Sequence, residues 1–399
     1  MIKDLAARVQ RIKPSPTMAV SARADELIAA GKNIISLSIG EPDFDTPNHI
    51  KAAAIKAIND GMTKYTAVDG TVSLKNAVIK KFEHENQLKY QLDQIIVSCG
   101  AKHSLYNLFA AVLNSGDEVI IPAPYWVSYP DMIKLVDAVP VIVKADIDQN
   151  FKISPAQLEA AITPQTRLVI FNSPSNPTGA VYTTAELKAL GAVLVKYPNI
   201  VIASDDIYEY HLWSKEPFCN ILMACPELDD RCVIINSVSK SHAMTGWRIG
   251  YAGGPAKVIA AMKKIQSQST SNPTSISQAA AQAALEDDRT AVKEMTKAYK
   301  ERHDYLVAEL QTIPGIKCIP SDGTFYSFPN VEELIKNNAP TINNDVELAE
   351  YLLNEADVAV IPGSAFGAPG YLRLCYTTSL ENIKEAVRRI RAALEKLSK

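Results

Sequence analysis

Lys240 stands where an apolar, strand-like run gives out. Residues 233–254 read VIINSVSKSHAMTGWRIGYAGG, with β-branched residues from Val233 to Ile235, then Asn236, two serines and the lysine, then Arg248 and a second short strand pattern. A lysine amine at the mouth of a buried strand loses basicity by desolvation and can attack a carbonyl. Ser237, Ser239 and Arg248 lie close by in sequence, and hydroxyls beside a planar guanidinium fork suit a dianionic phosphate. An amine next to a phosphate cradle is what pyridoxal phosphate (PLP) requires: a partner for its aldehyde and an anchor for its tail. The same residues also suit an ordinary strand end with a solvated lysine.

Five further places carry reactive or ligating groups. Asp205 and Asp206 follow directly on the apolar run Ile200 to Ala203, which puts at least one carboxylate at the ligand edge of a sheet. A carboxylate against a pyridine nitrogen keeps it protonated and makes the ring an electron sink. A metal at this Asp pair is not expected, because no His or third carboxylate stands at useful spacing. Gly100 opens a helical pattern in SCGAKHSLYNLF, so the free N–H groups of Ala101 and Lys102 would face an anion; a plain strand-to-helix turn is the alternative. Trp126, just past a strand end, could stack on a flat ring or pack in a core. Asn176, in the turn-rich NSPSNPTG, offers an amide to a phenolic oxygen or simply shapes the turn. Arg373, inside the strand-like YLRLCY, needs an anion, either an internal acid or a substrate carboxylate.

The elements around these residues indicate an α/β protein. Strand-like runs at Ile95 to Ser98, Glu118 to Ile121, Val139 to Val143, Arg167 to Phe171, Ile200 to Ala203, Val233 to Ile235 and Ile249 to Ala252 mostly alternate with amphipathic helical runs. Such alternation predicts a largely parallel sheet covered on both faces, with ligands at the carboxyl ends of its strands. No GxGxxG follows any strand, which argues against a dinucleotide fold. A helical pattern from Met18 to about Ala30 follows Pro14 and Pro16, and a long helical tract runs from about Ile276 to Leu310. Beyond it, strand patterns at Ile316 to Ile319, Gly323 to Phe328, Val358 to Ile361 and Tyr371 to Tyr376 mix with helices near Val346 to Glu355 and from Leu380 to about Leu397. The expected organisation is an arm at 1–14, a small α+β domain from 15–45 and 296–399, and a large PLP-binding domain at 46–295, two domains being the prior for 399 residues.

Composition removes several function classes. A net charge of -3 leaves no basic excess for nucleic acid. No apolar run approaches the ~20 residues of a membrane span, and the charged start MIKDLAARVQRIKPSP lacks a secretory h-region. The six cysteines are scattered without CxxC pairs and sit largely in apolar patterns, so buried thiols in a cytoplasmic protein are expected.

SVSKSHAMTGWRIG resembles the lysine motif of class I, fold-type I PLP-dependent aminotransferases. SIGEPDFDTP, KYTAVDG, PYWVSYP, NSPSNPTGAVY, SDDIYE and YLRLCY match further blocks in the family's order, across almost the whole chain, and the likeness is greatest to the bacterial aspartate/prephenate branch. The resemblance implies a large domain with a mostly parallel seven-stranded sheet, a smaller α+β domain, and a homodimer with its sites at the interface. It implies that Lys240 holds PLP as a Schiff base and later moves the substrate proton. Asp205 would face the pyridine nitrogen, Tyr208 and Asn176 the phenolic oxygen and Trp126 the ring. Gly100, Ala101, Lys102, Ser237, Ser239 and Arg248 would surround the phosphate, joined by Tyr65 from the partner subunit. Arg373 would clamp the substrate α-carboxylate, with Gly40, Trp126 and Asn176 beside it. Lys13, Thr17 and Lys102 match the branch's positions for a distal carboxylate, which favours aspartate with 2-oxoglutarate and leaves prephenate or aromatic substrates open. A β-elimination on the same fold, or a non-catalytic PLP sensor, would be the rival functions.

Overall fold

A computed structural model describes residues 5–397. Twelve strands are present among them: β1 (Ile35–Ser36), β2 (Ile95–Ser98), β3 (Glu118–Ala123), β4 (Val139–Lys144), β5 (Thr166–Asn172), β6 (Val201–Asp205), β7 (Cys232–Ser237), β8 (Gly250–Gly253), β9 (Tyr326–Ser327), β10 (Val358–Ala359), β11 (Ile361–Pro362) and β12 (Leu372–Cys375). Seven form one sheet in the order β2-β8-β7-β6-β5-β3-β4. Neighbours from β7 to β4 run parallel, and β8 alone runs against both its neighbours. The central strands read as continuous apolar runs because helices cover both faces. Val169, Phe171, Ile202 and Ile234 point into one core, while Leu168, Ile170, Ala203, Val233 and Ile235 point into the other.

A third core gathers around β9, β12 and the β1/β10 pair. It takes Leu37 from the early chain, Tyr299 and Leu306 from helix Thr290–Leu310, and one stripe of the last helix, Leu380–Leu397. That stripe is Ile383, Ala386, Val387, Ile390, Ala393 and Leu394, the three-and-four spacing of a half-buried helix.

Three sequence expectations are corrected. The tract from Ile276 to Leu310 is two helices, Ser275–Leu285 and Thr290–Leu310. Arg289 sits between them at φ 69°, and its guanidinium donates to the carbonyls of Ala284 and Leu285, so it closes the first helix. Pro16 starts a helix, Pro16–Ala29, where its missing N–H costs nothing. Residues 316–319 form no strand; Lys317 makes an isolated bridge to Asn330. All six cysteines are free. Among the described residues no helix is long and apolar enough to cross a membrane, and no three His, Cys, Asp or Glu side chains converge as for a metal.

Candidate active site

Three neighbouring strands end at one edge. Register pairs Asn172 of β5 with Asp205 of β6, and Asp205 with Ile235 of β7. Beyond these ends the chain leaves sheet pairing and opens into a cavity of about 530 Å³, which is closed from the other side by Thr17, Ser38, Tyr326 and Arg373.

Lys240 reaches this cavity from a one-turn helix, Val238–Ser241, that follows β7 at once. Its amine donates to the Gly40 carbonyl and lies 5.8 Å from the centre of the Phe325 ring. Burial pushes its pKa down to about 8, with Arg373 and Arg248 acting in the same direction and Glu41 opposing. A free amine is therefore within reach near neutral pH. Its condensation with an aldehyde probe, trapped by borohydride and counted by mass, is expected to quicken about tenfold per pH unit in acid and to level off above the amine pKa. A midpoint near that of an exposed lysine would contradict the burial argument.

Asp205 and Asp206 point opposite ways, as successive strand-end residues do. Asp205 faces the cavity: one carboxylate oxygen accepts from the Tyr129 hydroxyl at 2.6 Å, and the other is buried with no partner. Burial raises its pKa to about 6 against the lowering effect of Tyr129. Asp206 turns into the core, accepting from Ser204 Oγ at 2.6 Å and Asn220 Nδ2 at 2.7 Å.

The anion end of the cavity is built from backbone. Gly100 has φ +91°, and a Cβ there would sit 2.3 Å from an Arg248 terminal nitrogen. A Cβ at Gly250 would meet the Ala101 nitrogen at 2.2 Å, so β8 also admits the start of helix Ala101–Val112 only as glycine. Arg248 is held by the Thr245 carbonyl at 2.8 Å. The guanidinium, the helix start at Ala101 and Ser239 thus border one space. Ser237 does not line it: its hydroxyl oxygen lies 2.8 Å from the Ile249 carbonyl and accepts from the Ser239 N–H at 2.9 Å. That contact shapes the lysine-bearing turn, so Ser237 stands behind Ser239, a correction to its expected direct contact.

At the opposite end Arg373 is buried and makes no ion pair among the described residues. Its guanidinium donates to Asn176 Oδ1 at 3.0 Å and to the Ser38 carbonyl at 2.6 Å, and its Nε has no partner. Tyr326 lies under it at 4.6 Å, and the Tyr326 and Tyr208 hydroxyls are 2.8 Å apart. Gly40 lines the cavity, yet the room left by its missing side chain is filled by Tyr326, whose hydroxyl a Cβ would meet at 2.1 Å. Lys102 and Trp126 stand together at the mouth, the ammonium 4.8 Å from the indole centre, and Thr17 lines the same rim.

Besides Ser237, two expected site residues are not brought here. Lys13 is exposed outside the cavity, and Tyr65 is 92% exposed on the surface. Several cavity residues were not singled out from sequence, among them Tyr129, Tyr326 and Glu41. Tyr129 lies in PYWVSYP beside Trp126, Tyr326 lies two residues after Thr324 in GTFYSF, and Glu41 follows Gly40.

Residues 32–390 match the family model of class I and II aminotransferases. The aspartate/prephenate aminotransferase of Nitrosomonas europaea is 56% identical over 394 residues, covering 98% of this chain and 99% of that one. The aspartate aminotransferase of Geobacillus stearothermophilus is 50% identical over 392 residues, covering 98% and 99%. Among solved structures, the aspartate aminotransferase of Rhizobium meliloti superposes with a TM-score of 0.95 at 45% identity, over 98% of this chain and 99% of that one. That of Thermus thermophilus with maleate gives 0.92 at 41%, over 98% and 100%. With an amine, a carboxylate that has one unpartnered oxygen and a guanidinium without an ion pair facing one cavity, and these relatives along its length, the chain belongs to the class I and II aminotransferases.

Proposed function

We propose that this chain transfers the amino group of aspartate to 2-oxoglutarate, with PLP as its cofactor, and that it also accepts prephenate as amino acceptor. The observation that carries the reading is the unpartnered, buried oxygen of Asp205 across the cavity from the Lys240 amine. An oxygen left without a hydrogen bond inside a protein is costly, and a protonated ring nitrogen would satisfy it. The other residues suit the same group: Ser239, Arg248 and the N–H groups at Ala101 and Lys102 for its phosphate, Tyr208 and Asn176 for its phenolic oxygen, Trp126 for its ring face. When bound, PLP supplies an aldehyde for the amine and a ring that accepts electrons from the substrate α-carbon.

The chain's own residues supply the rest. Arg373 takes the α-carboxylate as a fork and sets the angle of the α C–H bond. Lys240, once its amine is free, would take the α-proton and give it back to the carbon on the far side of the amino nitrogen, a base and then an acid. The Asp205 carboxylate, steadied by Tyr129, would hold the ring nitrogen and keep it protonated. Tyr208 would hold the phenolic oxygen with its hydroxyl, and the Tyr326 hydroxyl 2.8 Å away would keep it oriented. Because donor and acceptor use one cavity in turn, ping-pong kinetics follow.

Substrate choice rests on the mouth. Lys102 and Thr17 stand where a second carboxylate would emerge, and the Thermus thermophilus relative was solved with maleate, a dicarboxylate. A panel of donors and acceptors read as kcat/KM tests the reading; a preference for aromatic or other neutral donors over aspartate would replace it. Lys102→Ala is expected to cut the aspartate-over-alanine preference about tenfold, the worth of one charge-assisted hydrogen bond at a wet rim. An unchanged preference would move distal recognition elsewhere. The reading extends to a homodimer in which the exposed Tyr65 reaches the phosphate end of the partner's cavity.

A further inference from the structure

His211 lies outside the cavity, and nothing in the mechanism above uses it. It is fully buried, two residues past Glu209 on the turn that leaves β6. The turn folds back on itself, with the His211 N–H donating to the Tyr208 carbonyl at 2.9 Å. The imidazole then bridges three parts of the molecule. Its Nε2 is 3.0 Å from the backbone carbonyl of Lys240, and its Nδ1 is 3.1 Å from the Thr296 hydroxyl on helix Thr290–Leu310. Its ring meets Tyr299 edge-on at 5.2 Å and Phe325 at 5.7 Å, and Phe325 is the ring that underlies the Lys240 amine. The His211 carbonyl accepts from the Thr324 N–H at 2.8 Å, next to that same phenylalanine.

These contacts fix the tautomer. A carbonyl only accepts, so Nε2 carries the proton and Nδ1 is left as an acceptor facing the Thr296 hydroxyl, which also lies 3.1 Å from the Tyr210 carbonyl. Burial holds the ring's pKa down at about 4, so the neutral form persists through the working range. The Lys240 carbonyl sits at the end of a one-turn helix, where carbonyls lack intrahelical donors. Through this bond the turn that presents Tyr208 also grips the backbone that presents Lys240.

We propose that His211 is a positioning residue: its Nε2–H holds the Lys240 backbone and, through Thr296, locks the lysine-bearing turn to helix Thr290–Leu310, so that the amine is aimed at the cofactor aldehyde. The proposal rests on the PLP reading above. It concerns orientation, so its signature is the rate at which Lys240 joins the aldehyde, with the amount of folded protein unchanged.

The experiment mixes cofactor-free protein with PLP and follows visible absorbance in wild type, His211→Leu and His211→Gln. Leucine fills the space without a donor; a glutamine amide can donate to the Lys240 carbonyl and accept from Thr296. His211→Leu is expected to condense about tenfold more slowly, one lost buried hydrogen bond, and His211→Gln to recover most of that rate. Melting of each cofactor-free variant is recorded alongside. Equal rates in wild type and His211→Leu, or a glutamine variant as slow as the leucine one, would overturn the proposal. Should His211→Leu fail to fold, Thr296→Val removes the outer anchor at constant size and is expected to slow condensation about threefold; an unchanged rate there overturns the proposal as well. Wild-type protein that never gains visible absorbance would instead overturn the PLP reading, a separate outcome.

Discussion

Lys240→Ala is expected to lose the visible absorbance of the lysine-linked cofactor and to lower kcat by about 10⁴-fold or more. General acid–base transfer by a positioned side chain contributes about 10²–10⁴-fold, and covalent capture of the cofactor is lost in addition. Lys240→Arg should be as inactive, because a guanidinium keeps the charge but neither loses its proton nor condenses with an aldehyde. Retained turnover in either variant would remove Lys240 from the chemistry. A second readout needs no cofactor. The folded amine has a pKa of about 8, below its unfolded value, so the unfolded chain binds more protons between the two. Wild-type stability therefore carries a penalty that is full below about pH 8 and fades as pH rises towards the unfolded value near 10.4. Cofactor-free Lys240→Met should accordingly melt higher than cofactor-free wild type at pH 7, with the gap closing in alkali. A gap independent of pH would mean that the amine is not desolvated.

The parts of this site that were legible in the sequence are those fixed by strand ends. Asp205, Asn176 and Lys240 follow apolar runs whose parallel pairing sets where they emerge, so local pattern predicts their shared edge. Gly100 was legible too, since a glycine between strand and helix signals a backbone that must turn tightly. Hydrogen-bond direction was not. Ser237 and Ser239 look equivalent in NSVSK, yet only the three-dimensional turn spends one hydroxyl on its own backbone. Tyr129 and Tyr326 belong to different cores and meet the cavity through partners 76 and 118 residues away, a distance over which periodicity carries no information. The break at Arg289 was hidden for a similar reason. An arginine is a good helix former, and only its guanidinium reaching back to two carbonyls stops the helix. The placements of Lys13 and Tyr65 outside the cavity of one chain likewise depend on what surrounds them, which no local pattern records.

Arg373 supports the second large effect, and its reasoning starts from what the guanidinium lacks. A charge taken out of water is stable only with good partners, and here the partners are two neutral oxygens and the faces of Tyr326 and Phe366. The sequence alone left open an internal acid, but among the described residues no carboxylate pairs with it. The anion we propose for it is the substrate's α-carboxylate. Removing one member of a buried, hydrogen-bonded charge pair costs ~2–5 kcal/mol, so Arg373→Leu should lower kcat/KM for aspartate by on the order of 30- to 5,000-fold. Arg373→Lys should recover only part, because an ammonium cannot grip both carboxylate oxygens in one plane. Melting should fall little in Arg373→Leu, since the cofactor-free protein offers this charge no anion to lose. Substrate structure supplies the decisive comparison. β-Alanine is aspartate without its α-carboxylate, and for this poor substrate the wild-type and Arg373→Leu rates should nearly coincide. If the substitution slowed both substrates by the same factor, Arg373 would be supporting the cavity wall, and the α-carboxylate would have to be held by another group.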